Sequence, residues 1–355
     1  MPTSARSLWL GRIALALAGS AVGLGLAEAA VRVLWPDRAP PDAAALPVLH
    51  TQLELVLPNQ RAMHEGVLHR TNRLGLRGPD YPARPAPSVF RILLGGDSIA
   101  MGHGVPEEDR YSDRLVPLLD AARPGERHEV VNTALSGLDA QGVMQRIDTM
   151  LTNYGAHALV YGFCLNDIEG PDYQRRAPAW DAESVWAGFQ ESQRAARSRL
   201  WALLAAWRWR LTLPEPGVDE EVRYNYLENP AAWQTFTSQL DRLATIARER
   251  GVCSVLFLQP QLAQLDDRHP YLDIYARVGD AARQRGIHVI DAFPAFRGRF
   301  ASWYWVGPFD PHPNAAGHAI LARALAGGLL ALPESCWRGG PVEPAPAWPP
   351  PTWPR

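Results

Sequence analysis

From residue 89 onward, short apolar runs alternate with longer stretches in which apolar residues recur every three or four positions. The runs fall at 90–95, 129–134, 158–163, 252–258 and 287–292, and each predicts a strand. Helical spacing covers 109–122, 140–154, 231–250, 272–285 and 314–330. Strands that alternate with helices predict a parallel sheet covered on both faces.

Five such strands match a flavodoxin-like, three-layer α/β/α domain over residues 89–332, where ligands gather beyond the strand carboxyl ends. One connection is too long for that scheme. Residues 168–227 separate the third strand from the helix before the fourth, and include Trp186, Trp201, Trp207 and Trp209. Long insertions at a strand's carboxyl end serve as lids or binding elements. A packing helix whose tryptophans fill core space is equally compatible with this pattern, and a helix lying on a membrane surface is a third, less favoured reading.

The chain opens differently. Arg6 and Arg12 precede an uncharged run from Ile13 to Ala27, and residues 8–27 reach the roughly 20 residues that span a bilayer if Arg12 snorkels. A cleaved secretory signal ending at Ala27-Glu28-Ala29 is the alternative. The apolar turn that continues to Trp35 favours a retained anchor over residues 1–35, with the rest of the chain extracytoplasmic, that is, periplasmic. Residues 36–88 read as a Pro/Ala-rich linker (36–47) and a turn-rich lead-in. The Pro- and Trp-rich tail, 333–355, is expected to bury little surface and to be disordered.

Composition mainly excludes. All 35 basic residues are arginine, against 37 acids, for a net charge of −2. Without lysine there is no Schiff-base chemistry and no phosphate loop ending in Gly-Lys-Ser/Thr. The balanced charge argues against a nucleic-acid partner. Three cysteines, Cys164, Cys253 and Cys336, show no metal-ligand spacing, and no metal or other cofactor is expected.

The candidate chemistry sits at one edge of the predicted sheet. Gly96-Asp97-Ser98 follows the first strand, Gly137 the second, Asn166-Asp167 the third, and Asp310-Pro311-His312-Pro313-Asn314 comes after the fifth. A serine on a tight strand-to-helix turn is a nucleophile once an imidazole takes its proton, and His312 is the candidate base. Asp310 is the nearest acid to orient that imidazole. The Ser98 and Gly137 backbone N–H groups and the Asn166 amide would form an oxyanion hole. Asp97 reads better as a helix cap than as a catalyst. His103 and Asp167 read as supporting groups, His318 as a surface or packing residue. Trp303 and Trp305 suit either sugar stacking or filling space under a loop.

These four blocks resemble those of the SGNH (GDSL-type) hydrolase superfamily over residues 89–330. The anchor, the Asn72–Gly78 lead-in and the Asp-Pro-His-Pro-Asn block resemble its membrane-anchored bacterial members. The resemblance implies a serine esterase or acyl-transfer fold with Ser98, Gly137, Asn166 and His312 at the signature positions. Two departures stand out. Cys164 occupies the usual glycine position of Gly-x-Asn-Asp, where it reads as a small core residue or a reactive thiol. The usual Asp-x-x-His also becomes Asp-x-His, so either Asp310 or a backbone carbonyl orients His312. Deacylation of a carbohydrate or other small ester is the leading reading. An O-acyltransferase for surface polysaccharide and a non-catalytic envelope scaffold are the alternatives.

Overall fold

A computed structural model describes residues 5–34, 40, 42–168, 198–212, 220–307 and 310–338. The chain divides into two compact units, one from residues 1–38 and 178–215, the other from 39–177 and 216–355.

In the first unit, residues Ala5–Leu34 form a single helix. Its Trp9–Leu34 portion has a mean hydropathy of 1.7, none of it buried, and is long and apolar enough to cross a membrane. A second helix, Arg199–Thr212, belongs to the predicted insertion. Glu28 caps it, accepting hydrogen bonds from the Arg199 and Leu200 backbone N–H groups (3.0 and 2.8 Å) and from Ser198 Oγ (2.8 Å). A carboxylate there satisfies donors left open by the first helical turn. Trp201 is 67% exposed, so it does not fill core space. Trp186 lies outside the described residues, as do the side chains of Trp207 and Trp209.

The second unit carries the parallel sheet. Strands β3 (Val89–Gly96), β4 (Arg127–Asn132), β5 (Ala158–Phe163), β6 (Cys253–Leu258) and β7 (His288–Asp291) pair in the order β4-β3-β5-β6-β7. This is the doubly wound, flavodoxin-like order: all five strands are parallel, and the winding of the chain reverses beside β3. Alternation along each strand splits the core in two. Ile92, Leu94, Val160 and Phe257 pack with the helices Tyr111–Ala122 and Ala315–Leu330. Leu93, Leu159, Tyr161 and Leu256 pack on the opposite face with Ala140–Leu151, Pro230–Arg250 and Leu272–Arg283.

The lead-in is more ordered than a string of turns. Residues Arg61–His64 (β1) and Val67–Arg70 (β2) form an antiparallel hairpin, and Leu55, Ala62 and Leu76 are buried. Asn72 then shapes the following turn, its side-chain oxygen accepting from the Leu74 and Leu76 N–H groups.

The start of the tail also departs from expectation. Cys336 is disulfide-bonded to Cys253 at the start of β6, and Trp337 is buried against Phe90 and beneath the Arg123 guanidinium. A disulfide and a buried indole supply the burial that composition did not promise. Residues 339–355 lie outside the described part.

Candidate active site

β3 ends in Gly95-Gly96, and the next helix, Ser98–Met101, starts at once. A Cβ on Gly96 would lie 2.6 Å from the Ala100 Cβ and 2.9 Å from the Gly162 carbonyl, so only glycine lets the turn close this tightly. Asp97 caps the helix, its Oδ1 accepting from the Ile99 N–H at 3.2 Å. Capping therefore accounts for this buried carboxylate, as its position suggested.

The last block lies on a short strand rather than on the helix that follows. β9 (Asp310–Pro313) pairs with β8 (Trp305–Gly307), and Asn314 caps the Ala315–Leu330 helix. Residues two apart on a strand project to the same face, which is how an acid at Asp-x-His spacing reaches its imidazole. Asp310 Oδ1 lies 2.6 Å from His312 Nδ1 and also accepts the His312 backbone N–H at 3.0 Å. His312 Nε2 lies 2.9 Å from Ser98 Oγ. A carboxylate only accepts, so Nδ1 carries the proton and the bare Nε2 takes the serine O–H. Asp97 Oδ2, at 3.2 Å, is the longer alternative acceptor for that hydroxyl.

Asp310 serves a second imidazole. His103 Nε2 lies 3.1 Å from Asp310 Oδ2, and its ring stacks on His312 with centroids 4.0 Å apart. His103 stands between Gly102 and Gly104, both at positive φ, on a loop gripped by the buried Arg77 guanidinium. Arg77 donates to the carbonyls of Met101, Gly102, Val105 and Leu68. Its burial, with Arg110 nearby, lowers its pKa to about 9.

These contacts tune the pair. Burial opposes ionisation of Asp310, but hydrogen bonds from His103 and His312 prevail and hold its carboxyl well below the usual range. Burial likewise opposes the charged form of His312. The hydrogen bond and charge of Asp310, helped by Asp97 and Glu65, outweigh it and raise the His312 pKa above its ordinary 6.5.

A cavity of about 290 Å³ opens beside Ser98 and His312, with Asn166, Gln261, Tyr271 and Val222 among its lining residues. Val222 belongs to Glu220–Leu227, the end of the predicted insertion. Asn166 Nδ2 makes a 3.4 Å hydrogen bond to the Leu138 carbonyl, next to Gly137. Gly137, at φ 75°, sits on that loop and is not among the cavity-lining residues. Asp167 is a supporting group, accepting the Cys164 N–H at 2.8 Å and so shaping the loop that presents Asn166.

Cys164 lines the cavity too. Burial, with Asp97 and Asp167 close by, pushes its thiol pKa up, so it stays protonated. His318 is fully buried and accepts the Tyr111 N–H, a packing role. Trp303 is 73% exposed, and Trp305 donates to the Leu262 carbonyl; neither is among the cavity-lining residues. Arg77 and the hairpin residue Glu65 had no role in the sequence reading. The Gly-His-Gly triplet so soon after Ser98 was the available signal for this corner of the site.

No curated protein matches the chain in sequence. Among solved structures, TesA is 18% identical with a TM-score of 0.42, covering 67% of this chain and 97% of its own. The acetylxylan esterase Axe2 from Geobacillus stearothermophilus is 18% identical (TM-score 0.43; 68% and 94% covered). The esterase EstA from Pseudoalteromonas sp. is 13% identical (TM-score 0.41; 68% and 96% covered). The profile of the GDSL-like Lipase/Acylhydrolase family matches residues 95–320, a span that opens just before Ser98 and closes after His312. The serine turn, the Asp310–His312 strand and that match agree: this chain belongs to the GDSL-like lipase/acylhydrolase family of ester-hydrolysing enzymes.

Proposed function

We propose that the protein is a membrane-anchored, extracytoplasmic serine ester hydrolase that removes short acyl groups from a carbohydrate or other small ester. The observation that carries this reading is the unbroken chain from Ser98 Oγ through both nitrogens of His312 to Asp310 Oδ1. Such a chain weighs against a purely structural scaffold.

Ser98 Oγ attacks the ester carbonyl carbon as His312 Nε2 takes its proton, and Asp310 stabilises the resulting imidazolium. The Ser98 and Gly137 N–H groups and the Asn166 amide receive the oxyanion, with Asn166 exchanging its long bond to Leu138 for a stronger, charge-assisted one. His312 returns the proton to the leaving alcohol, which leaves an acyl-serine. Water then attacks, gives its proton to His312, and the acid departs as Ser98 regains its hydrogen.

The cavity lies at the small end of the ligand-site range, which favours a short acyl group. Two features support the location: the apolar N-terminal helix, and the Cys253–Cys336 disulfide, a bond that persists in oxidising compartments.

The test uses the full chain in detergent with short aryl esters and acetylated glycans. Wild type should exceed Ser98→Ala and His312→Ala by about 10³-fold or more. Equal rates in all three would reject the reading. Adding a saccharide acceptor separates the two chemistries, since acyl transfer faster than hydrolysis would identify a transferase.

A further inference from the structure

Behind the catalytic acid lies a group of side chains that ester hydrolysis does not use. His64 ends β1, Glu65 occupies the hairpin turn, and His103 reaches them from its glycine-flanked loop. Each offers one ligand atom, and the three atoms lie within 4.8 Å of one another.

The hydrogen bonds dictate the state of both rings. His64 Nδ1 faces the Leu49 carbonyl at 3.2 Å and must carry the proton, which leaves Nε2 a bare lone pair. His103 Nε2 faces Asp310 and must carry the proton, which leaves Nδ1 bare. Both bare nitrogens are buried, and neither has a hydrogen-bond partner. A buried acceptor with no donor loses its hydration uncompensated. Two of them beside a carboxylate make a donor set that a shared Lewis acid would satisfy.

The surroundings fit a metal ion. Ligating histidines generally donate their other ring N–H to a carbonyl or carboxylate, as His64 and His103 do. Glu65 is held at φ 47°, ahead of Gly66 at φ 75°, in a two-residue turn whose geometry favours Asn-Gly. This turn brings Glu65 Oε2 to 4.0 Å from the near edge of the His103 ring, at Nε2, so the carboxylate stands beside the ring whose Nδ1 is bare.

We propose that His64, Glu65 and His103 form a binding site for a divalent transition-metal ion, zinc by ligand type. Two imidazoles and one carboxylate, with water completing the sphere, make a common zinc donor set. Ligand atoms around tetrahedral zinc sit roughly 3.3 Å apart, so side-chain rotations of about 1 Å would close the site. The ion would tie the β1–β2 hairpin to the His103 loop, and through it to Asp310. The site stands independently of the esterase reading, because its readout is binding.

Two neighbouring groups define the controls. His103, Asp310 and His312 also bring ligand atoms within 4.8 Å, as do Cys253, His288 and Cys336, although the two sulfurs of the latter are bonded to each other.

Full-length protein in detergent, stripped with a chelator and kept free of reductant, is titrated with zinc chloride against a chromogenic chelator. The expected result is one zinc per chain, with affinity lowered about tenfold or more in His64→Ala and in Glu65→Ala. Affinity should persist in His312→Ala and His288→Ala, and zinc should raise the melting temperature of wild type but not of Glu65→Ala. Glu65 sits on a turn, so its variant decides the matter should His64→Ala fail to fold. Absence of stoichiometric binding, undiminished affinity in the Glu65 variant, or loss confined to His312→Ala or His288→Ala would overturn the proposal.

Discussion

His103 stacks on His312 while each ring bonds a different oxygen of the same carboxylate, Asp310. The Asp310 carboxylate is thus held by an imidazole at each oxygen.

His103→Ala should lower kcat while leaving KM nearly unchanged, because His103 is not among the residues lining the cavity. A hydrogen bond to a charged group contributes about 2 kcal/mol, or roughly 30-fold in rate. His103→Asn, which can still donate to Asp310, should recover part of that loss. Steady-state kinetics on a short aryl ester checks both, and a rise in KM alone would contradict the assignment.

The pH dependence has a definite sign. His312 must be neutral to accept the serine proton, and its pKa is raised above 6.5. Activity should therefore fall as pH drops through that raised value, with the acid limb above 6.5. Asp310→Asn removes the main raising influence, so the limb should move to lower pH while the rate falls by about 10⁴-fold. Profiles of kcat/KM with chelator present test this; an unmoved limb would show that Asp310 is not the partner that matters.

Arg77→Met should destabilise the fold and slow catalysis together. The substitution strands four carbonyls that the guanidinium serves, three on the loop that presents His103 and one, Leu68, on β2. A loss of about 3 kcal/mol is the scale for breaking such a buried network. Thermal unfolding with parallel kinetics checks it, and a wild-type melting temperature would refute it.

Opening the Cys253–Cys336 disulfide, which closes a loop spanning 83 residues, should cost about 4.5 kcal/mol on the chain-entropy account. Cys336→Ser should therefore melt lower, and reductant should lower the wild-type melting temperature without affecting the variant. Cys164 does not complicate this reading, since its thiol pKa is pushed up and it stays protonated.

The sequence by itself determined the parallel sheet, its two covered faces, and the edge where the four blocks meet. Those are consequences of local periodicity: a strand announces itself in six residues, and a turn after a parallel strand must fall on the carboxyl edge. That Ser98, Asn166 and His312 line one cavity was legible for that reason. Whether Asp310 reaches His312 was not, because the answer depends on residues 310–313 being extended through pairing with 305–307. The second imidazole on Asp310, the grip of Arg77 on the His103 loop, the Val222 wall and the Cys253–Cys336 bond were decided by tertiary structure alone. Each joins groups at least 24 residues apart. Such contacts depend on sheet order and loop path, and leave no period in the chain to read.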